Sequence, residues 1–514
     1  MAILRISAHI TLHFNRKKEK FMTFNGFDFA SPESVGVPSG AVLDFMKRLR
    51  DEGRNVHGFM LWRHGKLISK CIAPPFDYDS KRHAYSISKT FTSTAIGIAR
   101  DEGLLTLGER LVDIFPESVP ETISPNLAKM TVHDVLCMGC GHDNNSDPVM
   151  MAAEDGDWVK AFLAKDVPHV PGTHFAYNSG ATYMLSAIIT KRTGMKLIDY
   201  LRPRLFEPLG ITDVVWDECP RGINLGGWGF RCSHTDMLKL GIMYLSGGYW
   251  RGQRIVSRDW VKLASSYKIS NGVDRGDDWG SGYCYQIWRC QHNCFRGDGA
   301  FGQLLIMSPD RDMVLALISE DNSFQDMCNT YWDTVFASAV GTLHTYRMDP
   351  LFSEDMVKED VLPENPEVLA ELRSAEENWT ATELLGGSVG EFEGKLTVDG
   401  GRVGAVDVKV EGENALFTLF FRDGLVKMIK AGSGKWVKNS FDEFPRTEFE
   451  VMVAKDIAPV EMCVSFRMDG DKIFVNAQAT NSPHGARITI DLGECTVTKA
   501  MNYQTDTFAF KLEK

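Results

Sequence analysis

The hydrophobic pattern of this chain changes period between residues 350 and 391, and that change limits its architecture more than any other feature. From residue 391 onward, apolar and polar residues alternate in short runs: VDVKV, ALFTLFF, CVSFRM, KIFVNAQA, RITIDL and FAFKL. A period of two puts successive side chains on opposite faces of a strand. Asp423-Gly424 and Asp469-Gly470 are tight-turn pairs between such runs, and Asp399-Gly400-Gly401 reads the same way. Residues 381–514 are therefore expected to form a separate antiparallel β domain, a small barrel or sandwich.

The earlier part of the chain mixes periods. HGFMLWRHGKLI (57–68) carries a His-Gly turn signal and predicts a strand pair. Ile87, Phe91, Ala95 and Ile98 share one helical face within 86–103. Thr131 with Asp134, and Ser233 with Asp236, head two further helices as caps. Residues 180–206 read as helical in pieces, strands return from 282, and a helix follows over roughly 324–342. Strands and helices in separate blocks point to α+β architecture. The expected organisation is a tail over 1–25, a first domain over 26–348, a linker with a short helix (PEVLAELRSAEENW) over 349–380, and the β domain.

Composition narrows the function classes. With 514 residues and a net charge of -12, the chain lacks the basic surface of a nucleic-acid binder. No apolar run approaches bilayer-spanning length. The basic cluster Arg16, Lys17, Lys18 and Lys20 follows the first apolar stretch, the reverse of a secretory signal, and Met22 offers an alternative start. Eleven scattered cysteines fit free thiols in a reducing compartment. Cys137 and Cys140 have no matching second CxxC to complete a zinc site. The expectation is a cytoplasmic protein with no membrane contact, no structural metal and no cofactor.

One helix carries an unexpected charge. In YSISKTFTSTA (85–95), Lys89 lies among small and apolar residues, three positions after Ser86. That spacing sets the two side chains on one side of a helix. Desolvation lowers a lysine pKa, and a neutral amine can take the proton from a serine hydroxyl. The spacing alone is weak evidence, since Ser265 and Lys268 in SSYK repeat it. A snorkelling lysine is the plainer alternative. Two later segments add weight. PGTHFAYNSG places Tyr177 just before a helix, as a second candidate base if a neighbouring cation lowers its pKa, with Ser179 two residues on. FRGDGAFGQLLIM provides small residues along a strand edge, where a backbone amide paired with that of Ser86 would form an oxyanion hole.

YSISKTF, PGTHFAYNSG and GDGAFGQ, in that order, resemble the serine β-lactamase and penicillin-binding-protein superfamily, and most closely its class C-type esterase and peptidase branch. Supporting segments include GLLTLGERLVDIFPE, LRPRLFEPLGITDVVW and GGWGFRCSHTDMLKLGIMYLSGG, so the likeness runs over roughly residues 30–345. The resemblance implies an antiparallel sheet flanked by helices, a helical subdomain, and an active site between them. It implies Ser86 as the acylated nucleophile, Lys89 as its partner and Tyr177 as the first residue of a Tyr-x-Asn motif whose asparagine is here Ser179. It sets Gly297, Asp298 and Gly299 at the Lys/His-Thr/Ser-Gly motif, with Ala300 giving the strand amide of the oxyanion hole. The β domain resembles the lipocalin-like barrels that some relatives append, and its expected roles are to cap the site, to mediate self-association or to stabilise the chain.

The third motif departs from the family pattern. Gly297 carries no cation to hold the carboxylate of a β-lactam or stem peptide. The expected activity is therefore that of a serine hydrolase acting through an acyl-enzyme on a small-molecule ester or amide, or on a short peptide. Three alternatives stand beside it: a D-amino-acid peptidase with Asp298 as an exposed anchor for a free amine, a β-lactamase or D,D-peptidase, and a catalytically idle ligand-binding homologue.

Overall fold

The computed structural model describes residues 22–341, 361–442, 444, 459–502 and 504–513. The predicted tail up to residue 21 and the start of the predicted linker, 349–360 with Pro350, lie outside them.

An eight-stranded sheet organises the first domain. Its strands lie in the order Met22–Phe24, Phe27–Phe29, Lys66–Ile72, Val56–Arg63, Met313–Ser319, Gln303–Ser308, Phe295–Gly299 and Trp288–Arg289. Neighbours pair antiparallel, except that Phe27–Phe29 runs parallel to Lys66–Ile72. The predicted hairpin is Val56–Arg63 with Lys66–Ile72, turned by His64 and Gly65 at φ 50° and 83°, the left-handed pair a two-residue hairpin turn demands.

Both sheet faces are buried, which accounts for near-continuous apolar strands where one face in water would give strict alternation. Phe59, Leu61, Leu304, Ile306, Leu315 and Leu317 pack on one side with residues of the helices Ser39–Asp51 and Phe324–Tyr331. Met60, Trp62, Leu305, Met307, Val314 and Ala316 enter a larger core on the other side, shared with the helices Ser88–Asp101, Ser179–Thr193 and His234–Leu245. The stretch 180–206 is broken as expected, into Ser179–Thr193, Leu197–Leu201 and a wider turn over Arg202–Phe206. Thr131–Asp134 and Ser233–Asp236 both form reciprocal capping boxes.

The β domain is a closed barrel of nine strands. They run Gly390–Asp399, Val403–Gly412, Asn414–Phe421, Val426–Gly432, Val460–Asp469, Lys472–Ala479, Gly485–Asp491, Thr496–Met501 and Gln504–Glu513. Closure comes where Val426–Gly432 meets Val460–Asp469 at Gly432 and Ser465, and Val437–Phe441 pairs with Val460–Asp469 beside that seam. Gly424 and Gly470 take left-handed φ values of 93° and 56° at the turns their Asp-Gly pairs mark. Leu396, Val408, Phe417, Met462, Phe466 and Ile473 belong to its buried core, where Leu396 and Phe417 border a cavity of about 420 Å³. No helix among the described residues is long and apolar enough to cross a membrane.

Candidate active site

Ser86 sits in a 3-10 turn, Tyr85–Ile87, that leads directly into the helix Ser88–Asp101. It is half-exposed, whereas Ser88 through Ala99 are all buried. Tyr85, the residue before it, has φ 46°. A left-handed aromatic residue costs roughly 1–3 kcal/mol and persists only where its surroundings hold it. Here Tyr85 N–H donates to His83 Nδ1 at 3.0 Å, its carbonyl accepts from Ser88 Oγ at 2.5 Å, and its hydroxyl meets His484 Nε2 at 2.9 Å.

Lys89 does not snorkel. Its ammonium donates to Ser86 Oγ at 3.1 Å, Ser179 Oγ at 2.9 Å and the Gly227 carbonyl at 2.8 Å, and the residue is only 1% exposed. Three donors meet three oxygens, so the amine is fixed in position with every N–H satisfied. Burial pushes its pKa down to about 8, with Asp147 and Asp298 opposing the shift. SSYK behaves differently: Ser265 Oγ donates to Val261 O, and Lys268 Nζ donates to Ser266 Oγ and lies over the Tyr285 ring.

The Tyr177 hydroxyl lies near Ser86, and the Lys89 ammonium lies 4.8 Å from the Tyr177 ring centroid. The ring stacks on Trp288 at 5.4 Å and meets Tyr283 edge-on at 6.2 Å. The expected acidification of this phenol does not occur. Burial, with the Asp298 charge adding to it, drives its pKa up, and the nearby Ser86 hydroxyl offsets only part. Tyr177 is thus held neutral. Ser179 opens the helix Ser179–Thr193, while Asn178 caps it by accepting from Ala181 N–H and also from Ser146 N–H.

The strand Phe295–Gly299 passes close behind this turn, and its glycines explain how. A Cβ on Gly297 would lie 2.8 Å from Thr90 Oγ1, and one on Gly299 would lie 2.4 Å from the Ala84 carbonyl and 3.2 Å from Tyr85 Cβ. The approach brings Gly299 against the Ala84 and Tyr85 segment that leads into Ser86, and Ala300 lies in the turn just past the strand instead of within it. Asp298 is not an exposed anchor. It is buried and ion-paired with Arg296 Nε at 3.2 Å, and Arg296 is itself buried, lying over Trp279 and Trp288 at 4.9 and 5.7 Å. Burial raises the Asp298 pKa against the opposing Arg296 charge. Arg289 turns to Ser265 O and Asn293 Oδ1.

Three contributors escape sequence reasoning. Gly227 supplies the third acceptor for Lys89, and a Cβ there would come 3.0 Å from Ser179 O. Asn145 accepts from Ser179 N–H at 3.0 Å and bonds Asp147, whose charge faces Lys89. The polar run HDNNSD was the available signal for the last two, and GGWGF for the first. Among the described residues, Asp143, His169 and His174 carry donor atoms within 4.8 Å of one another, although Asp143 and His169 already bond at 2.7 Å. Cys137 and Cys140 are buried free thiols, with burial pushing Cys137 up to about 12.

A family model described as Beta-lactamase matches residues 44–335, more than half of the chain. The chain belongs to the beta-lactamase family. Within it, a 6-aminohexanoate-dimer hydrolase of Paenarthrobacter ureafaciens is 26% identical over 298 residues, which cover 53% of this chain and 74% of that protein. A D-aminopeptidase of Brucella anthropi is 27% identical over 156 residues, 28% of this chain and 29% of that relative's length. A solved Bacillus anthracis structure, described as a 6-aminohexanoate-dimer hydrolase, superposes with a TM-score of 0.50 at 18% identity, over 60% of this chain and 87% of that one. That likeness concerns the fold alone. Of these relatives, one is named as a hydrolase of an aminohexanoate dimer and the other as a D-aminopeptidase.

Proposed function

We propose that the protein is a serine hydrolase that cleaves an amide or ester of a small molecule through an acyl-enzyme on Ser86. The observation that carries this reading is the Lys89 amine, locked by three oxygens with one of them Ser86 Oγ, and with its pKa brought down to about 8. A neutral Lys89 takes the hydroxyl proton as Ser86 Oγ attacks the carbonyl carbon. The C–O or C–N bond to the leaving group then breaks, and that group departs with the proton. Water attacks the resulting ester and Lys89 accepts its proton; as the acyl C–O bond breaks, Lys89 returns that proton to Ser86 Oγ and the carboxylic acid leaves. Neutral Tyr177 donates a hydrogen bond at Ser86 and steers the proton between base and leaving group. The amides of Ser86 and Ala300 receive the oxyanion.

The relatives named for an aminohexanoate dimer and for peptides support an amide as the bond cleaved. The Arg296–Asp298 pair neutralises both charges at the third motif, so neither a carboxylate nor a free amine finds its counter-charge there. That weighs against β-lactam, stem-peptide and Asp298-anchored amine substrates. The experiment is labelling with a fluorophosphonate probe beside turnover of a chromogenic short-chain ester. Modification of Ser86, with both signals lost in Ser86→Ala, is the expected result. An unlabelled Ser86, or turnover that survives Ser86→Ala, would sink the reading.

A further inference from the structure

We propose that the barrel is a working part of the active site, with His484 as a positioning residue that holds both backbone segments flanking the oxyanion hole. The inference rests on the acyl-enzyme reading above. On the nucleophile side, His484 Nε2 lies 2.9 Å from the hydroxyl of Tyr85, the left-handed residue that precedes Ser86. On the strand side, the His484 ring meets the Phe301 ring edge-on at 4.3 Å. Phe301 follows Ala300 and is also left-handed, with φ 64°. Its ring packs against Tyr85 at 5.3 Å as well. Two strained, non-glycine residues thus border the two amide donors, and one imidazole touches the side chains of both.

His484 is itself held from behind. Nδ1 lies 2.8 Å from Oε1 of the buried Glu320, just past the strand Met313–Ser319. Glu320 is fixed in turn, since its amide donates to Asn55 O and its carbonyl accepts from Asn502 Nδ2 of the barrel. The His484 carbonyl accepts from Ala479 N–H and from Gln478 Nε2, which ties the loop to the barrel wall. Asn481 O, on the same loop, accepts from His83 N–H. The carboxylate fixes the proton on Nδ1, leaving Nε2 to accept from the Tyr85 hydroxyl. A hydrogen-bonded chain therefore runs from the first domain's sheet, through a barrel side chain, to the residue before the nucleophile. A group that only filled space would need neither end of it.

Paired amide isosteres separate positioning from packing in the full-length protein. Asparagine at 484 places its amide nitrogen near the position of Nδ1, keeping the Glu320 bond and losing Tyr85. Glutamine reaches the Nε2 position and keeps Tyr85. The measurements are the rate of Ser86 phosphonylation per folded molecule, with kcat and KM on the chromogenic ester across pH. H484N and Tyr85→Phe should each lower kcat and the labelling rate about 100-fold, the scale of a misplacement by about 1 Å. KM and the pH at which the rate turns up should stay put, because Lys89 is untouched. H484Q should recover most of the rate, and H484N with Tyr85→Phe should be no worse than either alone. Full kcat in H484N, or equal damage from H484Q and H484N, overturns the inference while leaving the hydrolase reading intact. An unreactive wild type overturns both.

Discussion

At the scale of single residues, Lys89 sets the pH response in the proposed mechanism. Its pKa in the folded protein is lowered to about 8 by burial, so at pH 7 roughly one tenth is the neutral base. The kcat/KM should therefore climb with pH and level off above about 8, as the amine loses its proton. Lys89→Arg keeps a cation that stays protonated, and should remove about a thousandfold of the plateau rate at every pH, within the usual range for a general base. A pH–rate profile of both proteins checks this, and a flat wild-type profile would remove Lys89 as the base. Asp298 yields a second expectation. Asp298→Asn strands the Arg296 guanidinium in the interior, and breaking one side of a buried pair costs about 3 kcal/mol. Urea unfolding should show that loss, while amine-bearing and capped amides should slow by the same factor. Selective loss on the amine-bearing substrate would make Asp298 the anchor after all. The residues of the candidate site that the sequence singles out, Ser86, Lys89, Tyr177 and Ser179, are those where local spacing already ties a candidate nucleophile to a candidate base or a helix start. Gly227 and Asn145 act through a carbonyl and a side-chain amide brought in from distant segments, and nothing local distinguishes such groups. The direction of the Tyr177 shift is not legible for a related reason. Sequence places a cation near the phenol, but only packing reveals how much water its surroundings exclude.

At the scale of elements, the period of the apolar pattern made most of the sheet, the helices and the barrel strands readable, because each element buries the faces its period defines. Closure was not readable. Whether alternating strands curl into a barrel or stack as a sandwich depends on pairings between separate strands, such as Gly432 with Ser465 and Lys430 with Asn439, that no single strand encodes. The glycines of Phe295–Gly299 carry meaning of another kind, since they set how near the strand comes to the nucleophile turn. Adding one methyl group at Gly299 forces it against the Ala84 carbonyl, a backbone atom that cannot rotate away. Gly299→Ala should cost about 1–3 kcal/mol, typical of overpacking, and should cut the labelling rate of Ser86 far more than that loss of folded protein explains. Gly404→Ala is the control, on the barrel strand Val403–Gly412, where the nearest atom to an added Cβ is a flexible Arg422 carbon at 3.5 Å. Equal effects of the two would show that the tight approach has no bearing on the chemistry.

At the scale of the whole molecule, the barrel has its own apolar core, separate from the two cores that sandwich the large sheet. It meets the first domain through polar groups such as Glu320, Asn502, His484 and Asn481. An interface of that kind couples the domains by position more than by buried area, so the barrel should loosen without unfolding its neighbour. Phe466 is fully buried in the barrel core, and truncating such a side chain costs about 3–5 kcal/mol. Ten of the eleven tryptophans precede residue 380, so intrinsic fluorescence follows the first domain. In a urea series, Phe466→Ala should lose ester turnover at lower denaturant than wild type, while its fluorescence transition stays where the wild type has it. The gap between the two curves would measure how far the proposed active site depends on a domain that supplies neither the proposed nucleophile nor the proposed base. Coincident curves at the wild-type midpoint would mean that the barrel loop lends the site nothing.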